Sequence, residues 1–163
     1  MTQTFASSIA EPVGIPQAFP EAWRAMLALE KAMVGSPLER STYELVKLRA
    51  SQINGCGYCL DMHSKDARAM GETEARIYLL NAWREAPDYT RRERAALALT
   101  EAITLIANGH TPQDVEREAR EVFDPNEYAA LVFAIVTINA WNRLTITNHT
   151  VVGAYKPGQH AST

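Results

Sequence analysis

Apolar residues recur at helical spacings along most of this chain, and short polar punctuation separates the runs. Trp23, Met26, Leu27, Met33 and Val34 form one stripe, which predicts a first helix from Glu21 that Gly35 stops. Ser36-Pro37-Leu38-Glu39 offers a capping serine, a proline suited to a first turn and an acid that closes a capping box. It predicts a second helix carrying Tyr43-Glu44-Leu45-Val46-Lys47-Leu48-Arg49. A third is expected from Leu60 to Gly71, and a fourth from Glu74 to Arg84 with Ile77, Leu80 and Trp83 on one side. Thr90-Arg91-Arg92-Glu93 is a capping box that opens a helix through Ala95, Leu99, Ala102, Ile103 and Ile106, ending at Gly109. Thr111-Pro112-Gln113-Asp114 caps a short charged helix, and Asp124-Pro125-Asn126-Glu127 starts the last one.

That last segment is the most apolar. From Tyr128 to Ile138 it implies burial on nearly all sides, in the core or against another subunit. Its valines and isoleucines suit a strand, but the proline-marked cap and the continuation to Leu144 favour helix. The expected fold is an all-α bundle of about six helices around a single core, oligomeric in solution. A proline-rich arm over residues 1–19 precedes the helical domain, 20–150, and a loosely specified stretch begins at Thr145 and runs into a tail, 151–163.

Composition narrows the partners. The 163 residues suit one domain, with 47% hydrophobic and 21% charged content as in ordinary globular proteins. A net charge of −3 without a basic block gives no electrostatic footing for nucleic acid or an anionic membrane. No secretory signal and no membrane-spanning run is read, so a cytoplasmic location is expected and the Asn148-His149-Thr150 sequon is incidental. His110, His149 and His160 fall in expected loop and tail.

The candidate chemistry is concentrated in Gly55-Cys56-Gly57-Tyr58-Cys59-Leu60-Asp61-Met62-His63, which holds both cysteines of the chain. On a helix, spacings of three and four residues place Cys56, Cys59 and His63 on one face. A thiol becomes a nucleophilic thiolate more readily at a helix N-terminus, in a Cys-X-X-Cys pair or beside an imidazole, and a second thiol can trap a sulfenic acid as a disulfide. A redox dithiol is therefore expected, with two rivals left open. A structural zinc site would need four ligands, and no second Cys-X-X-Cys or His-X3-His follows. The other is two buried, inert cysteines with a packed histidine, since free cysteine is often simply a small core residue. A c-type haem would need histidine where Leu60 stands, and the helical pattern around the motif argues against thioredoxin. Glu44, set among apolar neighbours, is either a buried carboxylate that relays protons or a surface partner of Lys47 or Arg49.

From Glu44 through Leu-Val-Lys-Leu-Arg-Ala-Ser-Gln-Ile-Asn-Gly to Cys56-Gly-Tyr-Cys59-Leu-Asp-Met-His63, followed by Gly71-Glu72, the chain resembles the alkylhydroperoxidase D-like branch of the carboxymuconolactone decarboxylase family. The resemblance extends over residues 20 to 110, and Ile138-Asn139-Ala140-Trp141-Asn142-Arg143 also looks like members of this branch. It implies that Cys59 is the peroxidatic nucleophile, Cys56 the proton donor and resolving thiol, His63 the base and Glu44 the carboxylate of the proton relay. It further implies a hydroperoxide substrate, an external dithiol reductant of lipoyl or thioredoxin type, and a homo-oligomer, with neither metal nor cofactor. The chain resembles the shorter members with one helical core, and has Gly57-Tyr58 where longer ones carry a histidine between the cysteines. Two alternatives remain: a lactone decarboxylase, which needs no cysteine pair, and a non-enzymatic redox sensor.

Overall fold

The computed structural model describes residues 13–159, and every regular element among them is helical. A single turn, α1 (Ile15–Ala18), leads into α2 (Pro20–Val34), α3 (Arg40–Asn54), α4 (Gly57–Ala69), α5 (Glu74–Leu79), α6 (Arg91–Thr104), α7 (Gln113–Val122) and α8 (Pro125–Thr147). These are more helices than the six or so expected, although the all-α architecture is as expected. Glu74–Arg84 is shorter than expected, with a 3-10 turn over Leu80–Ala82, and a second such turn, Ile106–Asn108, replaces the end of the helix that was to reach Gly109. Pro12 and His160 lie outside the described residues.

Local signals set most helix starts. Thr90 and Asp124 each accept from the backbone N–H three residues on, while Glu93 and Glu127 return the bond to the cap, so both boxes form. Ser36-Pro37 does not start α3. Leu38 instead turns into the core, Glu39 takes an extended conformation (φ −55°, ψ 133°), and Arg40 begins the helix. Burying an isobutyl group is worth about 1.5–3 kcal/mol, more than a typical cap of about 1 kcal/mol. Pro112 rather than Thr111 occupies the cap of α7, without a side-chain bond.

The helix at the centre is α3, which packs on α4, α6 and α8. Its residues enter all three apolar clusters. Tyr43 and Val46 meet Ala95, Leu99, Leu131 and Ile135; Leu45 and Leu48 meet Ala67, Leu80, Trp83 and Leu97; Ala50 meets Cys56, Cys59 and Ile138. Long and apolar enough by composition to cross a membrane, with a mean hydropathy of 1.4, α8 has half of that window buried in the bundle, as a core helix does. It is not buried all round, because Phe133, Val136 and Ile146 face outward.

Candidate active site

The site is built where α3 turns into α4. Gly55 ends α3 in the left-handed region (φ 68°), a conformation that strains any residue with a Cβ. The cap of α4 is Cys56, so the helix starts three residues before Leu60 and places Cys59 in its first turn. The Cys59 N–H donates to Cys56 Sγ at 3.4 Å, and the two sulfurs are 2.8 Å apart, within hydrogen-bond reach. Both are free thiols, each only 1% exposed.

Residues 145–147, expected to be loosely specified, are helical and complete this site. From the last turns of α8, Thr145 Oγ1 lies 3.0 Å from Cys56 Sγ and 3.5 Å from Cys59 Sγ. Asn142, wholly buried, donates to Ser51 Oγ at 3.0 Å, accepts from Asn54 at 2.9 Å and also reaches the sulfurs. The hydrogen bond with Cys59 lowers the Cys56 thiol to about 6 against its burial, helped by Thr145, the Cys59 N–H and Asn142. The bond with Cys56, together with burial, pushes Cys59 up, so Cys56 is the more readily ionised thiol of the pair.

Further along, His63 and Glu44 form a buried pair. His63 Nδ1 donates to Glu44 Oε2 at 2.7 Å, and Glu44 Oε1 accepts from Arg40 at 3.2 Å. Burial would raise the Glu44 pKa, but the His63 bond, Lys47 and Arg40 outweigh it and keep the carboxyl below its ordinary value. An ionised carboxylate can only accept, so Nδ1 carries the proton of that bond. The other ring atom, Nε2, is buried without a hydrogen-bond partner. His63 follows Cys59 by one helical turn, so both belong to one side of α4. Thus the structure unites Cys56 with Cys59 and His63 with Glu44, while no direct hydrogen bond joins the two pairs among the described residues.

The surface reading of Glu44 is overturned. Glu44 is buried, and the two cations proposed for it pair elsewhere: Lys47 with Glu30, and Arg49 with Glu101 at 2.8 Å. Glu30 also accepts from Tyr43 Oη at 2.6 Å and Trp141 Nε1 at 3.0 Å, tying α2 to α3 and α8 behind the site. A cleft of about 270 Å³, lined in part by Ser41, Glu44, Ala67 and Gly71, reaches the Glu44 end. The segment after α8 runs over the site from the cysteine turn to the Glu44–His63 end. Val152 Cγ2 would sit 3.3 Å from a Cβ added at Gly57, Tyr155 Oη donates to Asp66 at 2.9 Å, and Lys65 Nζ donates to the Tyr155 carbonyl at 2.9 Å.

For a metal, Glu44, His63 and Asp66 offer ligand atoms within 4.8 Å of one another. Among the described residues, the cysteines do not belong to that group. Thr145 and Asn142 were missed because nothing in a sequence places a residue 89 positions from Cys56 against its sulfur. The signal available was their place on the face of the last helix that follows Ile138.

An all-helical bundle with a buried Cys-X-X-Cys at a helix N-terminus and a Glu–His pair one turn on defines a class of dithiol protein. The chain belongs to the carboxymuconolactone decarboxylase family, whose pattern matches residues 17–102, and to its alkylhydroperoxidase D-like branch. It is 48% identical over 127 residues to the uncharacterized protein YdfG of Bacillus subtilis (strain 168), covering 78% of this chain and 86% of that one. The alkyl hydroperoxide reductase AhpD of Bradyrhizobium diazoefficiens is 43% identical over 44 residues, 26% of this chain and 24% of that protein. Among solved structures, ATU0492 from Agrobacterium tumefaciens, a protein of unknown function for which an AhpD role in antioxidant defence is suggested, superposes with a TM-score of 0.84. It is 39% identical, over 90% of this chain and all of that one. The debrominase Bmp8 shares the fold, with a TM-score of 0.74 at 18% identity over 83% of this chain and 73% of that one.

Proposed function

We propose that this chain is a thiol-dependent hydroperoxidase, a peroxide-detoxifying oxidoreductase that cycles between dithiol and disulfide at Cys56 and Cys59. The observation that carries the reading is the pair of free thiols 2.8 Å apart at the N-terminus of α4, in a family that includes alkyl hydroperoxide reductases.

In the first step the Cys59 proton passes to the unpartnered His63 Nε2, the imidazole being oriented by Glu44. The Cys59 thiolate attacks the terminal oxygen of ROOH, forming an S–O bond as the O–O bond breaks. The alkoxide takes the proton held at His63 and leaves as alcohol. Cys56 then attacks the sulfenic sulfur; the S–S bond forms and hydroxide leaves, protonated, as water. Peroxide gains the two electrons that the thiol pair loses. An external dithiol of lipoyl or thioredoxin type restores the thiols by exchange, and this supply fits a cytoplasmic location. No step calls for a metal or an organic cofactor.

A homo-oligomer is part of the reading. Phe133 and Val136 are exposed on α8, one turn apart, and form an apolar face suited to a second copy. Light scattering reads the mass directly, and Phe133→Glu is expected to lower it.

The test is consumption of cumene hydroperoxide with a dithiol reductant, beside Cys59→Ser and Cys56→Ser. Turnover lost in both variants, with a sulfenic acid trapped at position 59 in Cys56→Ser, supports the assignment. Wild-type consumption no faster than that of the double-serine protein overturns it. Carbon dioxide released from a muconolactone would then indicate a decarboxylase, and disulfide formation without turnover a redox sensor.

A further inference from the structure

Beside Cys59, Thr145 places its Oγ1 3.0 Å from Cys56 Sγ, and the mechanism above does not use it. Its Oγ1 has four neighbours that can share a hydrogen bond. The Trp141 carbonyl is at 2.8 Å and the Asn142 carbonyl at 3.3 Å; Cys56 Sγ is at 3.0 Å and Cys59 Sγ at 3.5 Å. A hydroxyl has one proton and two lone pairs, and the proton swings without moving a heavy atom. With the proton on the Trp141 carbonyl, a lone pair faces the sulfur and accepts a thiol proton. With the proton turned over, the same oxygen donates to a thiolate.

We propose that Thr145 is a catalytic residue of the dithiol cycle, a two-way hydrogen-bond partner that serves Cys56 both as thiol and as thiolate. The alternatives in the site lack this freedom. The Cys59 N–H only donates, and so does the Asn142 NH2, which bonds Ser51 and also reaches the sulfurs while the Asn142 carbonyl accepts from Asn54. Asn142 therefore holds α8 in register against α3, and Thr145, one turn on, answers the change of charge. The distances also set a preference, because the hydroxyl is closer to Cys56 than to Cys59. It keeps charge on Cys56, the thiol that must attack the sulfenic acid, while Cys59 is consumed.

Of the titratable groups, Cys59 shares a hydrogen bond with Cys56, and Tyr58, on the same helix, feels the charge of both sulfurs. From α3 and α8, Cys56 meets Ala50, Ile138, Asn142 and Thr145, which are uncharged. Removing the hydroxyl thus changes a hydrogen bond to the sulfur and no ion pair.

The inference rests on the dithiol reading, and its readout is the thiol itself. Iodoacetamide alkylation of Cys56 is followed by mass spectrometry against pH in a Cys59→Ser background, alone and with Thr145→Val or Thr145→Ser. Thr145→Val is expected to raise the midpoint by about one pH unit, about tenfold less thiolate at any lower pH, while Thr145→Ser retains the parent midpoint. In the intact dithiol protein, kcat of Thr145→Val at saturating peroxide and reductant should fall about tenfold below the midpoint and return towards wild type at alkaline pH, since Cys56 acts after the O–O bond has broken. Circular dichroism checks the fold, and Thr145→Ala is judged by the same midpoints where the valine protein does not fold. A Thr145→Val midpoint within about 0.2 unit of the parent, or a serine variant shifted as far as valine, overturns the proposal. A shifted midpoint in a protein that consumes no peroxide would overturn the peroxidase reading and leave Thr145 as the thiolate's partner.

Discussion

Glu30→Gln is the sharpest test of how the site is held. Lys47 is 2% exposed, and its ammonium bonds Glu30 and lies 4.3 Å from the centre of the Tyr43 ring. Glutamine preserves the volume of Glu30 while removing the charge that offsets this buried cation. The two Glu30 oxygens also serve different donors, Tyr43 on one and Trp141 on the other, so an amide leaves one donor facing an NH2 group. Removing one partner of a buried ion pair costs about 3–5 kcal/mol. The Glu30 side chain is 26% exposed, so water offsets part of this, and a loss of about 3 kcal/mol is expected. For a domain of this size that lowers the melting temperature by about 6–12 °C. Urea denaturation at neutral pH measures it, beside the double variant Glu30→Gln/Lys47→Met. Without the cation the double variant should recover most of the loss, since a buried ion pair is itself little better than apolar packing. A single-variant loss below about 1 kcal/mol, or a double variant less stable than Glu30→Gln, would refute this account of Lys47.

Other residues give independent checks. Glu44→Gln replaces the carboxylate that orients His63 and makes it more basic with a neutral amide, and peroxide kcat/KM should fall by about a hundredfold, the lower range for a general acid–base contribution, in steady-state assays. Glu30 and Glu44 both have pKa values below the ordinary 4.5 despite burial, because Lys47 holds the first and His63 the second. On acidification the unfolded carboxylates protonate before the native ones, so the stability they contribute is complete above that range and falls as pH drops through and below it. Urea midpoints at pH 7 and pH 4 should show this drop, which Glu30→Gln and Glu44→Gln each diminish. Gly55→Ala meets nothing within 4 Å, so its cost is backbone strain alone, about 1–2 kcal/mol by the same denaturation. A neutral Gly55→Ala would show that the turn before Cys56 relaxes freely.

The relatives sharpen what the site must explain. YdfG and ATU0492 match most of this chain, whereas AhpD of Bradyrhizobium diazoefficiens matches about a quarter of it. The hydroperoxidase chemistry proposed here depends on Cys56, Cys59, Glu44, His63 and the turn of α8 above them.

Helical class, the placement of most helices and the dithiol motif were legible in the residues because each is a local matter. Spacing of apolar positions sets the buried stripe, and Thr90 and Asp124 satisfy the first backbone donors of their own helices. The shared face of Cys56, Cys59 and His63 follows from the period of one helix. Where local signals competed with packing they failed: Ser36-Pro37 lost to the burial of Leu38, and the end of α8, which reads as loose, is kept helical against the cysteines. Tertiary structure alone decided which of two acids pairs with which cation. Glu44 and Lys47 lie three residues apart on α3, yet His63 and Arg40 take the first, and Glu30, from α2, takes the second. It also brought Thr145 to the sulfurs across 89 residues. A hydrogen bond needs a few ångströms of approach in space, and separation along the sequence does not specify that distance; only the packing of α8 on α3 and α4 supplies it.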